Sequence, residues 1–194
     1  DINHAKRCAK YEKLLRDRNR LLKDNILDSS WYLAIEKEMA KLGFEIDNCR
    51  RHFIERLNTV LTKKNHYFPL IRLNLKEKPI KNKEVFFEHL IDQRGKDLVS
   101  GRTNCGPHTD DLHGFYFEKG IDTKYCSTGE QKLSIISIIL SNAKLIKEQH
   151  NTSPILLLDE ITAHLDAVRK ENLFSELLSL ESQFFISGTE MDIF

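Results

Sequence analysis

Ile155-Leu156-Leu157-Leu158-Asp159-Glu160-Ile161-Thr162-Ala163-His164-Leu165-Asp166 decides the fold class. Four aliphatic residues run directly into two adjacent acids. A buried parallel strand reads this way. Ligands of such sheets bind beyond the carboxyl ends of the strands, where these acids stand. Neighbouring side chains on an extended chain point to opposite faces, so the two acids can do different work. Asp159 suits Mg²⁺ held through water, a hard cation that takes oxygen ligands. Glu160 suits the orientation or deprotonation of an attacking water. Taken alone, the run is equally a plain strand ending in solvated carboxylates. Ala163-His164-Leu165-Asp166 reads as a turn, with Asp166 capping a helix from Ala167.

Upstream, Ser127-Thr128-Gly129-Glu130-Gln131-Lys132 precedes an apolar helix carrying Leu133, Ile136, Ile139, Leu140 and Leu145. Ser127 with Glu130 is a capping box. A helix N-terminus with free N–H groups and a glycine is also an anion site, and both readings can hold together. No GxxxxGK[ST] occurs; Gly95-Lys96 lacks the upstream glycine and is followed by Asp97. The order is more specific than any member: signature-like loop, helix, apolar strand, Asp-Glu, then Leu-Asp. It is the order of an ABC-type ATPase head, without the element that grips phosphate. The expected fold is α/β: the C-terminal part of such a head, a parallel sheet with helices, with an inserted helical-hairpin arm. By itself the chain is not expected to be a working ATPase.

Working outward, residues 4–24 read as a helix, with Cys8, Tyr11, Leu15, Arg18 and Leu22 three and four apart. Ser29 or Ser30 is the expected N-cap of a second helix. Its stripe runs Trp31, Ile35, Met39, Leu42, Ile46, Cys49, Phe53, Leu57 and Val60, with a period close to 3.6. The two helices form an antiparallel hairpin, and Gly43 weakens the second by about 1 kcal/mol. Phe68-Pro69 ends the arm, 70–75 reads as a strand, and 84–99 as a third helix stopped at Ser100-Gly101. Residues 112–117 alternate and Gly120 turns the chain. Helix 130–148, strand 155–158, helix 167–180 and strand 184–187 then predict parallel strands covered by helices. We divide the chain into a mainly helical arm, 1–102, and the later part of the head, 103–194.

The net charge of +1 hides a split. Residues 1–102 hold 23 Lys/Arg against 15 Asp/Glu, and 103–194 hold 7 against 14. A basic arm on an acidic body fits a surface facing nucleic acid; a solvated helical face fits as well. Cys8, Cys49, Cys105 and Cys126 are scattered without a CxxC pair, so free buried thiols are expected and zinc is not. No run approaches a membrane span, and the polar start leads us to expect no signal peptide. The polar start, Asp1-Ile2-Asn3-His4, reads as a cut. The expected location is the cytoplasm.

These motifs resemble those of the RecF family of DNA replication and repair proteins, ABC-type ATPases related to SMC heads. The resemblance rests on Gly101-Arg102-Thr103, Gly106-Pro107-His108, Asp110-Asp111-Leu112, 127–132, Leu157-Leu158-Asp159-Glu160 and Phe185-Ile186-Ser187-Gly188-Thr189. Trp31 and Arg50-Arg51 sit in a helical insertion of the family's kind. It covers the whole chain but only the later part of the family's length; the P-loop and Q-loop region would precede it. The resemblance implies a protein that binds ATP with Mg²⁺, dimerises around it and holds DNA at gaps and stalled forks. It implies action with RecR and RecO in loading RecA onto single-stranded DNA. By position Asp159 is the Mg²⁺ acid and Glu160 the catalytic carboxylate. Ser127, Gly129 and Gln131 contact ATP held by the opposite subunit, and Asp166 is the D-loop acid. Gly188-Thr189 stands where many ABC proteins carry a histidine, which leaves switch chemistry to Thr189. His164 replaces a small D-loop residue, and Arg102 is either a DNA or RecR contact or a compensation of the helix-end dipole. The alternative is a non-catalytic module that binds DNA or RecR. An SMC-like tether needs a longer rod than the second helix, roughly 50 Å at 1.5 Å per residue.

Overall fold

The computed structural model describes residues 2–26, 28–63, 68–162 and 165–188. Its elements are α1 (His4–Lys23), α2 (Ser29–Leu61), β1 (Ile71–Leu75), α3 (Lys83–Ser100), β2 (Leu112–Tyr116), β3 (Ile121–Asp122), a 3-10 turn (Thr123–Tyr125), α4 (Thr128–His150), β4 (Leu156–Leu158), α5 (Ala167–Ser179) and β5 (Phe184–Ile186). Strands β1, β2 and β3 form one sheet in that order, with β2 and β3 antiparallel. Strands β4 and β5 pair in parallel, Leu157 opposite Phe185. The fold is thus α/β, as expected. The two-residue β3 and the 3-10 turn were not foreseen, being too short to carry a pattern. No described helix is long and apolar enough to cross a membrane.

Two compact units interleave along the chain: Asp1–Phe53 with Leu75–Leu112, and Ile54–Asn74 with His113–Phe194. A boundary at residue 102 leaves α1, α2, α3 and β1 before it and the other elements after it. The compact units do not follow it, because α2 and the β1–β2 strands each supply both.

In the first unit α1 and α2 run antiparallel: Arg18 meets Glu36 and Arg7 meets Glu45. Asp28 caps α2, its Oδ1 accepting from Ser30 N at 2.8 Å, so the expected serine cap is corrected by one residue. Tyr11, Met39, Leu42, Ile46, Phe86 and Leu90 form the core. Two members of the expected stripe are not in a core: Trp31 is 62% and Phe53 46% exposed. Tyr32, outside the stripe, is 3% exposed. Of the cysteines only Cys126 is buried; the other three are half-buried. A Cβ on Gly43 would stand 2.5 Å from the Phe86 ring and 3.4 Å from that of Tyr11. Glycine therefore lets α3 approach α2, which offsets its poor helix propensity.

Arg18 is fully buried. Its Nε donates to Glu36 at 2.9 Å and its Nη1 to Asp97 and Thr103 Oγ1, each at 2.7 Å. Its Nη2 donates to Leu90 O at 3.1 Å. Arg94 also chelates Glu36, and Asn104 donates to Asp97. A second network holds the loop after α3. Arg50 donates to Pro107 O at 2.5 Å, and Arg51 pairs with Asp47 and donates to Glu77 O. The Arg50-Arg51 and Gly101 to Asp110 motifs thus serve as hydrogen-bond hubs in this unit. At Gly106, φ is +126° and a Cβ would collide with the Tyr11 hydroxyl, so only glycine fits.

In the second unit, α4 (Leu133, Ile136, Leu140), β4 (Leu156, Leu158) and α5 (Leu173, Leu177) share one core. Leu173 and Leu177 are fully buried, worth about 1.5–3 kcal/mol each. The other face of the β4–β5 sheet is open: Ile155 is 62%, Leu157 76% and Phe185 56% exposed. The expected buried strand is therefore buried on one face only, because no second layer covers it among the described residues.

Replacing Arg18 by Ala is expected to cost about 3–5 kcal/mol, since Asp97 would stay buried without its cation and Glu36 would keep only Arg94. Denaturant titration of the chain checks this; a change under about 1 kcal/mol would contradict the network's role. Gly43→Ala is expected to destabilise by about 1–3 kcal/mol through overpacking against Phe86, against the gain its propensity predicts. A higher melting temperature in that variant would refute the close approach.

Candidate active site

The loop before α4 is built by the capping box foreseen from its sequence. Ser127 is the N-cap, its backbone N and Oγ donating to Glu130 at 3.0 and 2.9 Å. Glu130 N donates back to Ser127 Oγ. Lys119 pairs with the other Glu130 oxygen at 2.7 Å. The Lys119 ammonium first, then the two Ser127 donors, hold the Glu130 carboxyl down at about 2. Gln131 Nε2 donates to the carbonyls of Lys124 and Cys126, both at 3.1 Å, which ties α4 to the 3-10 turn. The first N–H groups of any helix lack intrahelical partners. At Gly129 a Cβ would meet no other atom within 4 Å among the described residues.

Asp159 and Glu160 lie exposed beyond the end of β4. Glu160 has φ +47°, a left-handed conformation costly for a residue with a side chain. Three contacts hold it there. Glu160 N donates to Ser187 Oγ at 3.2 Å, Ser187 Oγ donates to Asp159 Oδ1, and Lys132 Nζ donates to Glu160 O at 2.8 Å. Lys132 lies in α4 and Ser187 follows β5. The structure therefore joins the start of α4 to the two acids.

Asp166 serves α5: it is the N-cap, accepting from Arg169 N at 2.8 Å. Leu165 is buried. Thr189, Ala163 and His164 lie outside the described residues. Sequence reading missed Ser187 and Lys132 as partners of the acids. Both stood inside quoted motifs, yet a hydrogen bond across 28 residues leaves no local signal.

The donor set suits a nucleotide with Mg²⁺ in part. One Asp159 oxygen accepts from Ser187, and a second hard oxygen is left at an exposed strand end. The Ser127 hydroxyl and the Gln131 amide are engaged inside the loop, so contact with a phosphate requires them to exchange partners.

No family model matches the chain. Over its whole length the chain is 35% identical to the DNA replication and repair protein RecF of Allorhizobium ampelinum, covering 54% of that protein. It is 38% identical to RecF of Mesorhizobium japonicum, covering 54%, and 38% identical to RecF of Brucella abortus, covering 53%. The chain spans about half the length of the curated relatives it matches. Among solved structures, the recombination mediator protein RecF of the RecFOR pathway, as RecF-ATPrS, superposes with a TM-score of 0.79 at 24% identity. That match covers 99% of this chain and 55% of the other. RecF-ATP gives 0.78 at 24% identity, covering 100% and 55%. The resemblance to RecF proteins holds along the entire chain, and the fold is that of the RecF head.

With its pKa depressed, Glu130 adds stability above its unfolded value of 4.5 and loses it as the pH falls toward about 2. Thermal unfolding of the chain across that window is expected to show a falling melting temperature, with a shallower fall in Glu130→Gln. Equal slopes would show that the box does not carry this linkage.

Proposed function

We propose that this chain is the later part of a RecF-like, ATP-dependent DNA-binding protein of replication and recombinational repair. The observation that supports this reading is the acid pair held exposed at the end of β4, Asp159 by Ser187 and Glu160 by Ser187 and Lys132. In this reading 1–102 is the arm and 103–194 the later part of the ATPase head. The phosphate-gripping loop lies in sequence this chain does not contain.

Bound ATP with Mg²⁺ supplies an activated γ-phosphoryl group for transfer to water. Asp159 would hold the metal, through the carboxylate oxygen other than the one that accepts from Ser187. Glu160 orients the attacking water and accepts its proton, and catalysis comes from positioning and electrostatics. Ser127, Gly129 and Gln131 act in trans, presenting the N-terminus of α4 to nucleotide held by a second subunit. The positive end of the helix favours that charge. Asp166 and Thr189 complete the shared site. Closure of the ATP-bound homodimer holds single-stranded or gapped DNA, and hydrolysis releases it. RecR and RecO are the partners, RecA loading the outcome, and the cytoplasm the location. DNA contact is chiefly to phosphates and therefore salt-sensitive.

A second reading is favoured by one observation, the excess of 23 Lys/Arg over 15 Asp/Glu in residues 1–102. The chain is then a non-catalytic module that binds DNA or RecR through its basic arm. An SMC-like tether fits poorly, because α2 has 33 residues, about 50 Å.

Glu160→Gln in the intact protein is expected to slow ATP turnover by about 100-fold or more and to trap an ATP-bound dimer on DNA. Turnover and light scattering with gapped DNA measure both. Unchanged turnover removes Glu160 from its role, and DNA binding indifferent to ATP favours the binding module.

A further inference from the structure

Ser187 stands where one hydroxyl can serve both acids. Its backbone N donates to Leu158 O at 3.1 Å, continuing the β4–β5 ladder and setting its side chain beside the end of β4. Its Oγ has one proton to give, and gives it to Asp159 Oδ1. The same oxygen accepts Glu160 N–H at 3.2 Å. Lys132 holds the carbonyl of Glu160 at 2.8 Å. The backbone of Glu160 is thus held at both its N–H and its C=O, in a conformation it would not take unaided.

We propose that Ser187 is a positioning residue that fixes Asp159 and Glu160 relative to each other, so that one carboxylate faces the metal and the other the attacking water. The proposal rests on reading the pair as the acids of an ATPase. It places Ser187 on neither nucleotide nor water; it acts through the two acids. A hydroxyl is required, since only a group that donates and accepts at once can make both bonds. Threonine keeps that ability and alanine loses it.

The test uses the intact protein with Ser187→Ala, Ser187→Thr and Glu160→Gln. Ser187→Ala is expected to lower kcat for ATP by about 10- to 100-fold with KM changed less than about threefold. Ser187→Thr is expected to restore kcat to within about threefold of the parent. Without nucleotide, the Glu160 amide is expected to exchange with solvent faster in Ser187→Ala than in the parent. Parental kcat in Ser187→Ala overturns the proposal. So does a loss of kcat that tracks a fall in melting temperature and is not rescued by threonine. If Glu160→Gln turns over normally, the acid-pair reading fails and Ser187 falls with it. If Glu160→Gln is inactive while Ser187→Ala matches the parent, only the role of Ser187 fails.

Discussion

A guanidinium out of contact with water is tolerable only when its donors are answered. Arg18 meets that condition with four groups from three places: Glu36 on α2, Asp97 and the Leu90 carbonyl on α3, and the Thr103 hydroxyl in the loop that follows. Each partner is useful only where it stands, so the cation sets the separation of α1, α2 and α3 more narrowly than apolar packing would. It also fixes the start of the loop that follows α3. Thr103 is held by Asn19 as well, and that loop continues to Pro107, whose carbonyl is taken by Arg50. The path from α3 to β2 is therefore a set of answered polar groups.

The second unit is organised differently. Its core is aliphatic, and polar contacts flank it at both ends of α4: Lys144 and Lys147 pair with Glu176 and Glu181 at one end, and a second set stands where α4 begins and β4 stops. There the atoms that cap the helix are those proposed to meet nucleotide. Ser127 satisfies the helix end through its hydroxyl, Glu130 returns the bond, and Gln131 holds two carbonyls of the preceding turn. A loop so engaged is ordered without a ligand. Any phosphate bound there competes with bonds already made, which lowers affinity and sharpens the geometry that remains.

Much of this could be read from the chain because the governing interactions are local. Helical period located α2, the S-x-x-E spacing of Ser127 and Glu130 located the start of α4, and Gly101 marked the end of α3. Burial was legible only as periodicity, and periodicity does not say which residues meet a partner. Trp31 and Phe53 keep the stripe's spacing and face solvent, whereas Arg18 sat among the apolar positions of α1 and proved as buried as Tyr11 and Leu22. The two acids were legible as a pair, but the serine between them was not. Its pairing depends on the parallel register of β4 and β5, a relation that sequence spacing does not encode.

The backbone at Glu160 says something about why that residue is there. Glu181 shares its left-handed angle, with φ +49°, but follows the end of α5, where such a residue is customary. Glu160 follows a strand and has no such excuse. If folding alone chose the occupant, glycine or asparagine would suit the position better by about 1 kcal/mol. A glutamate there gives up that stability, as the role proposed for its carboxylate requires.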